Sequence, residues 1–185
     1  MIVFKFFTVA QFEQEEQWLN EMSGKGWQLQ SVGLGYYTFQ AGVAGGYQYK
    51  IELLPNSLHN AESQSYIGFL RDMGIECVAT YFRWVYFRKQ ADSVPFVLYS
   101  DIPSNIKHYE RIFLLCRVLY VINFITGTIN LLAVLEQILN RPNGISTLNV
   151  VVVFANLMIA AILFAYSRPL HLRIKKMRKE NGVRE

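Results

Sequence analysis

Two stretches of this chain carry almost no polar punctuation. From Ile112 the sequence reads IFLLCRVLYVINFITGTINLLAVL, 24 residues to Leu135 with Arg117 as its one charge. From Ile145 it reads ISTLNVVVVFANLMIAAILFAY, 22 residues to Tyr166 with none. About 20 predominantly apolar residues are enough for a helix to cross a bilayer core. Neither run has the polar face that a water-exposed bundle helix needs. Between them EQILNRPNG, residues 136–144, holds the turn formers Pro142, Asn143 and Gly144. The pattern predicts a transmembrane hairpin, with spans 112–135 and 145–166 joined by a short extracytoplasmic turn.

Ahead of the hairpin the periodicity is mixed, and the segment repeats itself. WLNEM (Trp18–Met22) stands against FLRDM (Phe69–Met73), and GWQLQSVGLGYYTF (26–39) against GIECVATYFRWVYF (74–87). Short aromatic segments, FKFF and GYQYKIELL, precede the two helices. The expected unit is strand, helix, strand, used twice over about 4–39 and 46–87, with an extra strand at 95–101. Thr8 and Gln11 form a capping-box pair before the first helix, and Gly24 and Gly26 follow it. The second helix is expected to start near Asn60 and stop at Gly74. This predicts an α+β domain over residues 1–101, a duplicated βαβ or ferredoxin-like arrangement. A juxtamembrane helix over 102–111, the end of DIPSNIKHYERI, then leads into the first span.

Charge sets the expected orientation. Residues 1–111 carry nine Lys/Arg against eleven Asp/Glu, whereas residues 168–185 carry seven against two. The basic tail, 167–185, follows the second span directly and the turn offers only Arg141. The positive-inside rule therefore places both chain ends in the cytoplasm and the hairpin in the cell membrane. Arg111, Arg117, Arg168, Arg173, Lys175 and Lys176 are the expected interfacial anchors, with Arg117 snorkelling from within the first span. Asn123 and Asn130, then Asn149 and Asn156, recur seven apart, which puts each pair on one helix face. With Gly127 they are the expected helix–helix contacts, within the hairpin, between copies or with another span.

Sites of chemistry are not evident. His59, His108 and His171 have no second ligand at zinc-site spacing, and no phosphate loop, nucleophile elbow or dinucleotide fingerprint occurs. Glu13, Glu15, Glu16 and Glu21 read as the solvated face of the first helix, and Cys77 and Cys116 as reduced, buried thiols. The start, MIVFKFFTVA, lacks the basic n-region of a signal peptide. VGLGYYTF shares two glycines and two rings with the base-stacking strand of RNA-recognition domains, but has Val32 and Leu34 where that motif has a basic residue and a ring. It also directly follows the first helix, in a net acidic domain. Arg83, Arg88 and Lys89 read as a solvated or membrane-facing edge. No enzyme, cofactor, metal or nucleic-acid partner is expected, an RNA-binding domain being the minor alternative.

KFF, EEQWLNEMSGKGWQL, GLGYYTF, YKIELL and RWVYFRK followed by PFVLYSDIPSNIKHYERI resemble an uncharacterised domain-of-unknown-function family. Its members are two-span membrane proteins of low-GC Gram-positive bacteria, often encoded beside PadR-type repressors. The resemblance covers residues 1–111 and implies a role in sensing or regulation, with no site residues to carry across. The function expected is a non-enzymatic membrane-anchored regulatory or adaptor protein. Its domain would bind a protein partner: a PadR-type repressor or a second copy of the chain. The alternative is an accessory subunit of a membrane transporter, bound through the spans. A reporter fused after Glu185 is expected to be active in the cytoplasm, and the chain to need detergent for monodispersity. An exported reporter would overturn the orientation.

Overall fold

The computed structural model describes residues 1–92, 94–99, 102–140 and 147–182. The chain divides into two units, Met1–Arg111 and Ile112–Glu185. The first contains β1 (Ile2–Phe4), a 3-10 turn (Val9–Gln11), α1 (Phe12–Gly24), β2 (Trp27–Gly33), β3 (Tyr36–Ala41) and β4 (Tyr47–Leu53). α2 (Ala61–Asp72), β5 (Ile75–Tyr81), β6 (Trp84–Gln90) and the opening residues of α3 (Ile102–Asn140) complete it.

The expected helix boundaries hold, for the physical reasons read from the residues. The Gln11 side-chain carbonyl accepts the Thr8 N–H at 3.0 Å, fixing the entry to α1. Asn60 caps α2 by accepting the Glu62 N–H at 2.9 Å. Gly26 and Gly74 follow the helix ends with φ of +82° and +79°, a region that L side chains avoid.

The duplicated α+β unit is present, and each copy has one more strand than the sequence predicts. GWQLQSVGLGYYTF and GIECVATYFRWVYF each fold back as a hairpin, β2–β3 and β5–β6. Gly35 turns the first at φ +73°, and Phe82, at φ +54°, turns the second. The copies share a register break too, between Leu29 and Ser31 and between Cys77 and Ala79. The result is two antiparallel three-stranded sheets, ordered β1-β3-β2 and β4-β6-β5. The first strand lies at Ile2–Phe4 rather than within FKFF, because Phe7 turns inward onto Trp18, ring centroids 5.7 Å apart. The strand expected at 95–101 is not formed over 94–99, while Ser100 and Asp101 lie outside the described residues. Phe96 gives its N–H to the Gln48 side chain at 2.9 Å and sinks its ring beneath α2, so side-chain anchoring replaces a ladder.

The main core joins both sheets: Leu19 and Met22 of α1 meet Leu29, Tyr37 and Phe39 of the first sheet and Tyr49, Ile51 and Tyr86 of the second. On the opposite face of the second sheet, Val85 and Phe87 meet Leu70 of α2 and Phe96. β6 is thus apolar on both faces, as a central strand with cover on each side should be.

In the second unit, the remainder of α3 and α4 (Thr147–Gly182) pair as an antiparallel hairpin. Phe113 meets His171 at 5.4 Å between ring centroids, and Tyr120 meets Phe164 at 5.7 Å. Gly127 faces Leu157 and Asn156, so the contacts step by seven residues along each helix. Val153, Ala160, Ser167 and Ile174 are buried at the same interval, the spacing of a left-handed coiled-coil seam. α4 continues through Pro169 to Gly182, making most of the basic tail helical. The turn formers Pro142, Asn143 and Gly144, with Arg141, lie outside the described residues.

A Cβ on Gly127 would sit 2.9 Å from the tip of Leu157, which can yield, and 3.3 Å from the Asn156 Cβ, which cannot. Gly127→Ala is therefore expected to destabilise the hairpin slightly, because room beside the Asn156 Cβ is made only by a small parting of the two helices. Gly127→Ile should cost about 1–3 kcal/mol of hairpin stability, read as a lower unfolding temperature in detergent.

Candidate functional site

Two buried polar nodes stand out in the first unit, both built on carboxylates. α1 carries one. Its apolar stripe, Phe12, Leu19 and Met22, includes Glu15 at the intervening turn, so helical spacing drives that carboxylate inward. The Tyr37 and Tyr86 hydroxyls, one from each sheet, both donate to Glu15 Oε1, at 2.7 and 2.6 Å. Burial pushes the Glu15 carboxyl above its ordinary pKa, against the pull of the two tyrosine hydrogen bonds. The same burial beside a carboxylate raises both phenols.

Beside it, Glu16, Asn20 and Ser23 form a polar stripe along the free edge of β4. Glu16 accepts the Ile51 N–H at 3.2 Å and binds Lys50 Nζ at 2.5 Å. Asn20 accepts the Tyr49 N–H at 2.8 Å and donates to the Tyr49 carbonyl at 3.1 Å. Ser23 donates to the Tyr47 carbonyl at 2.7 Å. The solvated face expected for Glu13, Glu15, Glu16 and Glu21 is corrected at two positions. Glu15 is buried and Glu16 is half-buried against β4, while Glu13 and Glu21 are exposed, Glu13 also accepting the Tyr109 hydroxyl from α3.

The second node gathers where α3 begins. Pro103 sits in its first turn, where the missing N–H costs nothing. Glu52 of β4, 2% exposed, accepts the hydroxyls of Tyr66 (2.8 Å) and Tyr99. Arg111 of α3 places Nη2 3.3 Å from Glu52 Oε1 and 3.1 Å from the Tyr99 oxygen. His108 lies buried beside Tyr99, Nδ1 3.4 Å from its hydroxyl, and edge-on to Phe12. Burial raises the Glu52 carboxyl, opposed by the Tyr99 and Tyr66 hydrogen bonds and the Arg111 charge. Burial, then Arg111, brings His108 down to about 3, so its imidazole is neutral at any physiological pH. Arg111, expected as an interfacial anchor, instead engages this node. Its long side chain reaches inward because a buried carboxylate needs a cation more than the helix surface does.

Arg83, Arg88 and Lys89 are also engaged within the domain. Arg83 donates to the Leu54 and Pro55 carbonyls. Arg88 binds Glu76 at 2.7 Å and lies over the Tyr47 ring, and Lys89 binds Asp92 at 2.7 Å. Cys77 is exposed and Cys116 buried. The glycines of VGLGYYTF end β2 and make its turn, while Tyr37 and Phe39 point into the core. Among the described residues, no three His, Cys, Asp or Glu side chains gather as a metal site.

In the hairpin, Asn123 and Asn156 each donate to a carbonyl of their own helix, Leu119 and Val152, at 2.8 and 2.9 Å. Asn149 reaches across to Gln137 at 3.5 Å, and Asn130 is half-buried. Gly127 lies against Leu157 and Asn156 of α4. Arg117, Arg168, Arg173, Lys175 and Lys176 are exposed on their helices.

Residues 11–122 match the family described as protein of unknown function, DUF2812. The chain belongs to that family. The matched stretch of this DUF2812 protein includes Glu15, Glu52 and Arg111 and runs on into the first apolar helix. No curated protein and no solved structure matches the chain.

Glu15→Ala leaves two buried hydroxyls without an acceptor and is expected to cost roughly 3 kcal/mol, whereas Glu15→Gln keeps an acceptor and the fold. A carboxyl raised on folding stabilises fully below its unfolded pKa, and that contribution is lost as pH climbs through the folded value. Denaturation midpoints between about pH 4 and 8 should therefore fall less steeply in Glu15→Gln than in wild type. The remaining slope combines the raised carboxyls of Glu16 and Glu52 with the opposing contribution of His108, whose lowered pKa makes stability climb with pH up to its unfolded value.

Proposed function

We propose that this DUF2812 protein is a non-enzymatic regulatory adaptor held in the cell membrane by its hairpin. Both chain ends would lie in the cytoplasm, and the α+β domain would bind a protein partner. Two helices long and apolar enough to cross a membrane support the anchoring. The basic residues Arg168, Arg173, Lys175 and Lys176 support the orientation. The partner implied by the family resemblance is a PadR-type repressor, whose capture at the membrane would keep it from DNA.

The observation that carries this reading is the node at Glu52. It ties the first ten residues of α3 to the domain through Arg111, Tyr99 and the neighbouring Tyr109–Glu13 bond. The same uninterrupted helix continues into the first apolar run. A domain engaged in this way with the helix that enters the membrane suits a sensor or tether. The buried carboxylates also suit it, since each is engaged by tyrosine, lysine or arginine in a bracing role.

Replacing residues 112–135 and 145–166 with unrelated apolar segments is expected to preserve partner capture in detergent pull-downs. Loss of capture on substituting Asn130 and Asn156 by leucine would instead favour the accessory subunit of a transporter. RNA recovered by nuclease-controlled crosslinking would refute the protein-adaptor reading.

A further inference from the structure

Five large apolar side chains of the first unit lie together facing water. The β1–β3 register sets Ile2 beside Thr38 and Phe4 beside Tyr36, on the face of the sheet opposite Val3 and Tyr37. Phe6 approaches the turn at Gly35, where an added Cβ would sit 3.7 Å from its ring, and Leu34 is the neighbouring turn residue. Ile2 is 62% exposed, Phe4 82%, Phe6 70% and Leu34 73%. The polar part of this face is uncharged: Gln30 bonds Gln40 and Ser31 bonds Thr38, each at 2.6 Å.

The internal duplication shows what such a face is built for. Phe4 stands opposite Tyr36, and Leu53 opposite Trp84, so Ile2, Phe4 and Tyr36 are the counterparts of Ile51, Leu53 and Trp84. In the second copy that face is covered. Ile51 and Leu53 are buried, Trp84 packs against the main core, and the residues opposite belong to α1 and the first sheet. The same surface is a sheet-packing face in one copy and open in the other.

We propose that the open face is where two copies of this chain meet, first sheet against first sheet about a two-fold axis. The five side chains expose on the order of 600 Å², and the amides and hydroxyls around them bring the face near the roughly 800 Å² per partner of a stable interface. A face without charge meets its own copy without repulsion. An anionic lipid surface would instead call for free Lys or Arg, whereas Lys5 is folded over the Phe7 and Trp18 rings and the Met1 ammonium, at the margin of the face, donates to the Phe39 carbonyl at 2.7 Å. Tethering in one membrane raises the effective concentration of the two domains. The proposal goes beyond the adaptor reading and does not depend on it.

The test uses the full chain in nanodiscs, with two affinity tags reporting pairing of copies. Wild-type chains are expected to pair. Phe4→Asp and Phe4→Lys, each alone, should lose pairing by about tenfold or more, because a buried unpaired charge is costly. Mixing the two variants should restore it. Phe82→Asp, at a side chain 83% exposed on the other hairpin, should pair as wild type and so control for added surface charge. Single wild-type chains, undiminished pairing in Phe4→Asp, or no recovery on mixing would each overturn the proposal. So would an environment-sensitive probe at Leu34 that reports lipid in nanodiscs holding one copy.

Discussion

The structure of the first unit depends on how the free edge of β4 is satisfied. An edge strand presents backbone donors and acceptors that must find partners or water. Here the partner is a helix. Glu16, Asn20 and Ser23, spaced along one face of α1, engage the Ile51 N–H, both backbone groups of Tyr49 and the Tyr47 carbonyl. The helix of the first copy is thereby stitched to the opening strand of the second. Glu15, one residue along, is braced by a tyrosine from each sheet. With α1 fixed against both, the two copies share one core instead of forming two small ones.

Burying carboxylates this way contributes little net stability, since the desolvation cost is large and the hydrogen bonds mainly offset it. What it supplies is uniqueness of packing. Glu15 and Glu52 each accept from two tyrosines, and a strand shifted by one residue would turn Tyr37, Tyr86 or Glu52 itself away from its partner. Glu52 also recruits Arg111, so the start of α3 is positioned by charge as well as by the aromatic contacts of His108 and Tyr109 with Phe12.

The duplication, both helix spans and the two apolar helices were legible in the sequence, because caps, glycines and long apolar runs act locally. The hairpins were not. Phe82–Arg83 carries no turn residue at all, and Gly33-Leu34-Gly35 can be read through as one strand. Glu15 could have been found: it occupies the helical stripe set by Phe12, Leu19 and Met22, and grouping it with its acidic neighbours hid that. Arg111 gave no signal, because its partner Glu52 is distant in sequence and isolated among apolar residues. Phe96 and Leu98 likewise look like strand residues until α2 is seen to cover them.

The heptad seam of the hairpin bears on how α3 and α4 can move. Contacts at Phe113–His171, Tyr120–Phe164 and Gly127–Leu157 recur every two turns. Sliding one helix along the other recreates comparable meshing only after a full heptad, about 10 Å. Gradual axial drift is therefore opposed by interlocked side chains. In the membrane-anchored reading proposed above, small responses to bilayer tension or thickness would be carried by tilt of the pair as a whole.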